Sequence, residues 1–548
     1  MNAATNTSPG LSDIVEAQPS QARRPRPGQQ TVAAVRRRQW QAFVLAYGAI
    51  GLVFIVVMGL MRLYPPALGP ALIVLLGMVG LSFVRPAFAF GATVVLAVIG
   101  DAVVMPWWPA TKNLSSAESI LFITDALTVK PVDIVLVAIV GAIIVNRRLS
   151  SDAPPLRYGP LWRPLLIFSA SIFVGIVWGL GRGGDLRVAF FEVTPLLYIP
   201  MVYFAATNLF TSLQHYRRLM VGIVIALTIE AIHAISQLSE IRRFIGEDQS
   251  AFEHVAAIHF NIAMLLAVAI GWFGAKREWP RPVLLIALVP IVYLYLDGER
   301  RAGVIALIAG GILLSALLFV RDRQKFLRTI PAAFLIFAVY SAAFWGASGS
   351  LAFPAQAVRS VVQPDSSSEQ DSLSELYRDI ENVDLNLTIR SNPILGVGFG
   401  NEFLKPIPLP DIGEFFEFAD YIPHNTVLWI WIKTGLVGFL SFVYMSGLAI
   451  ALGVRGAVRI RNPVDMSVIA VFVSFVPMTL VVAYVEISGD PTTMTLFGLA
   501  LAAAGNVEGI AAASGGLVGS QDRDTAGDLD PLSGADIDQL EVGAGRRR

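Results

Sequence analysis

Residues 425–453, NTVLWIWIKTGLVGFLSFVYMSGLAIALG, form an apolar run headed by Pro423-His424-Asn425, and the run exceeds the roughly 20 residues a helix needs to cross a bilayer. Just upstream stands Asn392-Pro393-Ile394-Leu395-Gly396-Val397-Gly398-Phe399-Gly400. Together they place a titratable side chain, His424, at a boundary between water and membrane, beside a long polar segment in an otherwise apolar chain.

Runs of the same kind recur near 41–62, 66–84, 87–105, 131–146, 163–180, 190–210, 219–238, 255–273, 282–297, 302–320, 330–347, 465–486 and 492–512. With the run at 425–453 this makes about fourteen spans, the fourth and ninth being the shortest. Composition agrees: 55% of the 548 residues are hydrophobic and only 15% charged, with a mean hydropathy of +0.63. The expected fold is an all-α polytopic membrane protein. Lys plus Arg and Asp plus Glu are both 41, so the balanced charge predicts no nucleic-acid partner. The absence of cysteine excludes disulfides, thiolate metal sites and a thiol nucleophile.

Alternate connections carry the basic residues, among them Arg85, Arg147, Arg148, Arg157, Arg217, Arg218, Lys276, Arg277, Arg321, Arg323, Lys325, Arg455 and Arg459. By the positive-inside rule these are cytoplasmic, and an even span count puts both termini inside. The Ser-, Pro- and Arg-rich start and the Gly- and Asp-rich end bury too little apolar surface to fold, and no cleavable secretory signal is expected. The chain then divides into a disordered cytoplasmic arm (1–39), transmembrane helices 1–11 (40–347), an extracytoplasmic loop (348–423), helices 12–14 (424–512) and a disordered cytoplasmic tail (513–548). The other long external connection, 106–130, contains Trp107-Trp108-Pro109.

Within the large loop, Leu373, Leu376, Tyr377, Ile380 and Val383 recur at helical spacing from Glu369 to Leu385. The pattern predicts an amphipathic helix lying on the membrane, with Asp371, Glu375, Arg378 and Asn382 on a solvated face making ordinary ion pairs. Asn425 or Thr426 is placed to cap the helix that follows His424, so the histidine sits at a helix N-terminus, where the dipole disfavours an imidazolium and attracts phosphate. The alternative is an ordinary interfacial histidine. Asp297-Gly298-Glu299-Arg300-Arg301 puts two arginines on the external side, against the charge bias elsewhere. Arginine forks suit a diphosphate, unless Asp297 and Glu299 simply neutralise them. Gly396, Gly398 and Gly400 lack the strand and βαβ unit of a nucleotide site and instead suit a tight turn with close backbone approach. The remaining histidines, His215, His233, His254 and His259, show no metal-binding spacing. Glu230, His233 and Gln237 share a helix face and are expected to be satisfied interior polar groups.

Three of these elements, in this order, resemble the O-antigen ligase and polymerase family of bacterial envelope glycan enzymes. They are Arg300-Arg301-Ala302-Gly303 heading a span, Tyr377-Arg378 leading to the glycine-rich stretch 392–400, and His424-Asn425 followed by Gly435-Leu436-Val437-Gly438. The resemblance is most specific from about 290 to 445, with a further match at Pro131-Val132-Asp133. It implies a membrane-embedded, GT-C-like glycosyltransferase of the bacterial inner membrane, inverting, independent of metal and without a cofactor, with its site facing away from the cytoplasm. The implied partners are an undecaprenyl- or other polyprenyl-diphosphate-linked glycan donor, a glycan or lipid-glycan acceptor and membrane lipid. Arg300 or Arg301, with Arg378, would hold the diphosphate; Asn425 would bind substrate; His424 would be the base. The chain departs from the family in having about two more spans and in Glu299, where a small polar residue is common. Its loop is also acidic, with Asp365, Glu369, Asp371, Glu375, Asp411, Glu414, Glu417 and Asp420 expected to be solvated or sugar-contacting.

A lipid-linked oligosaccharide flippase or secondary transporter is the competing reading. It calls for ionisable groups at mid-membrane depth and paired broken helices, whereas the arginines and His424 gather at one membrane face. A structural assembly protein, the third reading, would have no need of His424.

Overall fold

The computed structural model describes residues 68–99, 129–149, 154–245, 256–274, 281–347, 349–363, 369–410, 417–487 and 489–513. The two terminal segments, the first span at 41–62, the Trp107-Trp108-Pro109 loop and His254 lie outside the described residues. So do Asp365, Asp411 and Glu414, and the side chains of Gln237, Glu369 and Asp371.

Among the described residues every element is helical: α1 (Leu68–Val84), α2 (Pro86–Val98), α3 (Pro131–Leu149), α4 (Trp162–Gly181), α5 (Leu186–Leu209), α6 (Leu213–Ile245), α7 (Ala256–Phe273) and α8 (Arg281–Asp297). The chain continues through α9 (Arg301–Arg321), α10 (Arg323–Ala343), α11 (Phe353–Val362), α12 (Glu369–Ser391), α13 (Thr426–Ala457), α14 (Pro463–Val485) and α15 (Pro491–Ala513). Eight of these, α4, α5, most of α6, α9, α10, α13, α14 and α15, are long and apolar enough to cross a membrane, and shorter apolar helices stand at α1, α2, α7 and α8. The protein is an all-helical polytopic membrane protein.

Local sequence starts these helices where they start. Proline opens α2, α3, α14 and α15, at a position whose N–H would have no intrahelical partner. Asp185, Asp322, Asn425 and Asn462 cap α5, α10, α13 and α14 by accepting backbone N–H bonds. The innermost helices, α14 and α15, are buried along nearly their whole length and apolar all round. α15 packs on α5 and α13, α14 on α7, α9 and α13, and α13 on α4. At the periphery α10 turns Phe334, Leu335 and Ile336 outward, the surface expected where the neighbour is lipid rather than water.

Two features depart from the sequence expectation. The run at 425–453 is not one straight helix, because Gly435 (φ 72°, ψ −177°) breaks α13 into two pieces. The amide after the break, Leu436 N–H, donates to Ile394 O at 3.0 Å, so the bond lost to the helix is made to the glycine-rich loop. The stretch at 348–423 holds two helices, α11 and α12, rather than one. In α12 it is the polar face that packs inward, while Leu373, Leu376 and Val383 point away from the protein. The reason is specific partners: Glu381, Asp384 and Thr388 are buried because the chain from 404 to 424 donates backbone N–H groups to each of them.

Candidate active site

The inward face of α12 sets out the site at helical spacing. Glu375 pairs with Arg301 at 3.3 Å; one turn on, Arg378 is in electrostatic contact with Glu486. A further turn on, Glu381 accepts from the His424 backbone N–H at 2.9 Å and meets His424 Nδ1 at 3.2 Å. Asn382 Oδ1 accepts from Asn425 Nδ2 at 2.9 Å. Residues three and four apart on a helix lie on one side of it, so one face of α12 meets the start of α9 and the start of α13, with the end of α14 within electrostatic range.

Arg300 and Arg301 are presented by a tight turn between α8 and α9 in which Glu299 takes φ 47°, the sole positive φ of a non-glycine among the described residues. Such a conformation costs energy and is held only where the surroundings impose it. The proposed local neutraliser Asp297 is engaged elsewhere, by Arg242 at 2.8 and 3.0 Å. The two arginines then diverge. Arg301 turns to Glu375, whereas Arg300 is half-buried near Glu486 and Arg378; burial lowers its pKa, Glu486 raises it and Arg378 lowers it again.

His424 precedes α13, and Asn425 is the residue that caps it, its Oδ1 accepting from Leu428 N–H at 3.0 Å. The His424 side chain is about a quarter exposed and the Glu381 side chain is buried. A carboxylate can only accept, so Nδ1 is the donor in this contact, and in the neutral form of the ring the lone pair lies on Nε2. Tyr377 meets the imidazole edge-on, ring centres 5.5 Å apart. Glu486, at the C-terminal end of α14, is 7% exposed, and its backbone oxygen accepts from Thr426 Oγ1 at 3.2 Å. Burial pushes its carboxyl up to about 7, against the opposing pull of Arg378, Arg300 and His424. The structure thus gathers Arg300, Arg378 and His424 around one buried acid that the sequence analysis did not single out.

The glycine-rich stretch is the brace beneath this cluster. Gly396, Gly398 and Gly400 take φ of 69°, 79° and 79°, and a Cβ on each would strike backbone of Ile432, Gly179 and Asp185 respectively. The tight turn with close backbone approach expected from the sequence is what forms. Val397 N–H donates to Ile432 O (2.7 Å) and Phe399 N–H to Gly175 O (3.1 Å), so the turn is wedged between α13 and α4. A buried ion pair locks it: Lys433 Nζ lies 2.6 Å from Glu192 Oε1 and donates to Asn401 O at 2.5 Å, while Gly400 N–H donates to Glu192 Oε2 at 2.7 Å. Both side chains are fully buried. Lys433→Met, which strands Glu192 without its partner, is expected to cost about 3 to 5 kcal/mol, read as a lowered melting temperature of the purified protein in detergent. A Lys and a Glu inside runs of membrane length were the sequence signal for this pair.

The loop acids that are described are largely engaged: Glu417 by Arg187 at 3.0 Å, Asp420 by Lys405 at 2.5 Å, and Glu375 by Arg301. His215 meets Ser212 Oγ through Nδ1 at 2.9 Å, and His259 is buried against Thr493 Oγ1 at 2.9 Å. Glu230 is buried in α6 and His233 partly so. None of these joins the cluster.

Residues 286–443 match the O-antigen ligase family. The matched stretch contains Arg300, Arg301, Arg378, the glycine turn, His424 and Asn425, and ends before Glu486. An O-antigen ligase of Salmonella typhimurium (strain LT2) is 36% identical over 67 residues, which is 12% of this chain and 17% of that relative's length. The resemblance stated from Arg300-Arg301, Tyr377-Arg378 and His424-Asn425 therefore holds over the α8–α13 region.

Proposed function

We propose that the protein transfers a glycan from a polyprenyl-diphosphate carrier to an acceptor hydroxyl at the outer face of a bacterial cytoplasmic membrane. The observation that carries this reading is the meeting of Arg300, Arg378 and His424 around Glu486, on elements that lie within or beside the stretch similar to O-antigen ligases. Arg300 and Arg378 hold the diphosphate and His424 is the base, while Asn425, expected from the sequence to bind substrate, is buried with both side-chain polar atoms used to cap α13 and bond Asn382, and so positions the segment that carries His424. The acceptor hydroxyl gives its proton to His424 Nε2, and its oxygen attacks the anomeric carbon from the face opposite the leaving group. The bond from that carbon to the phosphate oxygen breaks, its electron pair passes to the diphosphate, and the configuration inverts. Two guanidiniums stabilise the departing charge, so neither a metal ion nor an acid on the leaving oxygen is required. Glu381 holds the imidazole ring in the orientation and tautomer that a base needs.

The test is transfer by purified protein in detergent or liposomes, supplied with a polyprenyl-diphosphate-linked glycan and a hydroxyl acceptor, with and without a chelator. Chelator-resistant appearance of the joined product supports the reading; binding or flipping of the lipid-linked glycan with no joined product rejects it.

The placement of the site outside the cytoplasm rests on the arginines and lysines at the other ends of the same helices. Arg321 at the end of α9 donates to Val458 O beyond α13 at 2.8 Å, and Arg455 and Arg459 pair with Glu508 near the end of α15. That basic end is cytoplasmic by the positive-inside rule. In this cysteine-free chain, single cysteines at the exposed Ser374 and Thr211 are expected to report opposite sides. A membrane-impermeant thiol reagent added to intact spheroplasts should label Ser374→Cys and spare Thr211→Cys; the reverse pattern inverts the orientation.

A further inference from the structure

Glu486 sits where the proposed reaction has no obvious use for an acid. It is buried at the C-terminal end of α14, among groups contributed by three other elements. Arg300 comes from the α8–α9 turn, Arg378 from α12 and His424 from the segment leading into α13; Glu381 stands behind His424 at 3.2 Å. Asp490, the next acid along the chain, is in electrostatic contact with Lys130 instead. Arg301 and Glu375 form a pair that is neutral in itself.

Arg300 and Arg378 bring two positive charges, and a diphosphate esterified at both ends brings two negative ones. These cancel, and since Glu381 is already a buried carboxylate behind His424, an ionised Glu486 is an unbalanced anion beside the diphosphate. Low-dielectric surroundings penalise a like-charge neighbour and an unpaired buried carboxylate alike. The negative end of the α14 dipole adds to the penalty on the ionised form.

We propose that Glu486 is a proton-linked counter-anion of the donor site: without donor its carboxylate holds Arg300 and Arg378 in place, and when a diphosphate binds it takes up one proton from solvent and yields both guanidiniums to the phosphate oxygens. The inference rests on the donor site proposed above. Protonation is within easy reach, because burial already pushes this carboxyl up to about 7. After transfer the cycle reverses: the carrier diphosphate leaves, Glu486 releases its proton and the arginines close on the carboxylate again. The proton of the acceptor hydroxyl travels separately, through His424. Glu486 is therefore a positioning residue for the two arginines, with a pH signature that a purely structural acid would lack.

The test is calorimetric titration of the purified full-length protein with undecaprenyl-diphosphate-linked N-acetylglucosamine in detergent at pH near 8, repeated in buffers of different ionisation enthalpy. This donor has no ionisation of its own near neutrality, so the buffer dependence counts protons taken up by the protein. The wild-type protein is expected to take up close to one proton per donor bound, and its apparent affinity to fall by up to about tenfold per pH unit above neutrality. In Glu486→Gln the uptake and the pH slope are expected to disappear while binding persists; in His424→Gln both are expected to remain. Donor binding by wild-type protein without proton uptake overturns the inference and leaves the donor site standing. Uptake that survives in Glu486→Gln, or vanishes in His424→Gln, overturns it as well. If Glu486→Gln does not fold, the wild-type and His424→Gln titrations decide between the two ionisable groups. Failure of wild-type protein to bind this donor at all overturns the donor site and the inference together.

Discussion

His424→Gln is expected to lower the turnover rate of glycan transfer about a hundred- to ten-thousand-fold, the usual cost of losing a positioned base, with donor binding nearly unchanged. The expectation follows from the ring's two nitrogens having different tasks. Nδ1 is committed to the buried Glu381 at 3.2 Å, which leaves Nε2 to receive the acceptor proton. Glu381→Gln should then be impaired too, but less than His424→Gln, since it removes the ring's orientation and not the base. The measurement is single-turnover transfer at saturating donor, alongside donor affinity. Near-parental turnover in His424→Gln would reduce the histidine to an ordinary interfacial residue.

Arg300→Lys and Arg378→Lys are each expected to lose on the order of 2 to 4 kcal/mol of transition-state stabilisation, roughly 30- to 1,000-fold in rate. Both keep the charge, so the loss isolates the forked hydrogen bonding that a lysine cannot supply. The sequence left open which of the paired arginines serves the donor; we assign Arg300, which lies near Glu486 and Arg378. Arg301 is occupied by Glu375 at 3.3 Å, and that pair is partly exposed, where an ion pair contributes up to about 1 kcal/mol. Arg301→Lys should therefore remain within a few-fold of the parent. Transfer rates for the three variants, at matched expression, decide the matter: equal and small losses would make all three ordinary surface charges.

What the sequence showed and what it hid divide along physical lines. Span positions were readable because bilayer thickness imposes a length on any apolar helix. The glycine turn was readable because φ above zero and backbone crowding restrict those positions to one residue type. His424 and Asn425 stood out because a helix cap is a local device, settled within a few residues. By contrast, Glu381 and the Glu192–Lys433 pair act through partners 43 and more than 200 positions away, and Glu486 through partners at 300, 378 and 424, and no local pattern encodes such meetings. The polar face of α12 was read as solvated for a related reason: no local pattern shows that Glu381, Asp384 and Thr388 take the inward side, where buried backbone donors await them.

The glycine turn also bears on the order in which the protein is made. It is gripped by α4, synthesised some 220 residues earlier, and by Ile432 of α13, synthesised some 35 residues later. Its contacts to Ile432 are backbone to backbone, and glycine offers no side chain that could find the seat in advance. While α13 is still within the ribosome and the insertion machinery, the turn lacks its Ile432 wall, and α12 lacks His424 and Glu486, the partners of Glu381 and Arg378. The long-range contacts that complete the cluster thus form late, once α13 and then the end of α14 have entered the bilayer. A chain interrupted before residue 432 would carry most of the spans and every arginine of the proposed donor site, yet lack the arrangement that lets them act together.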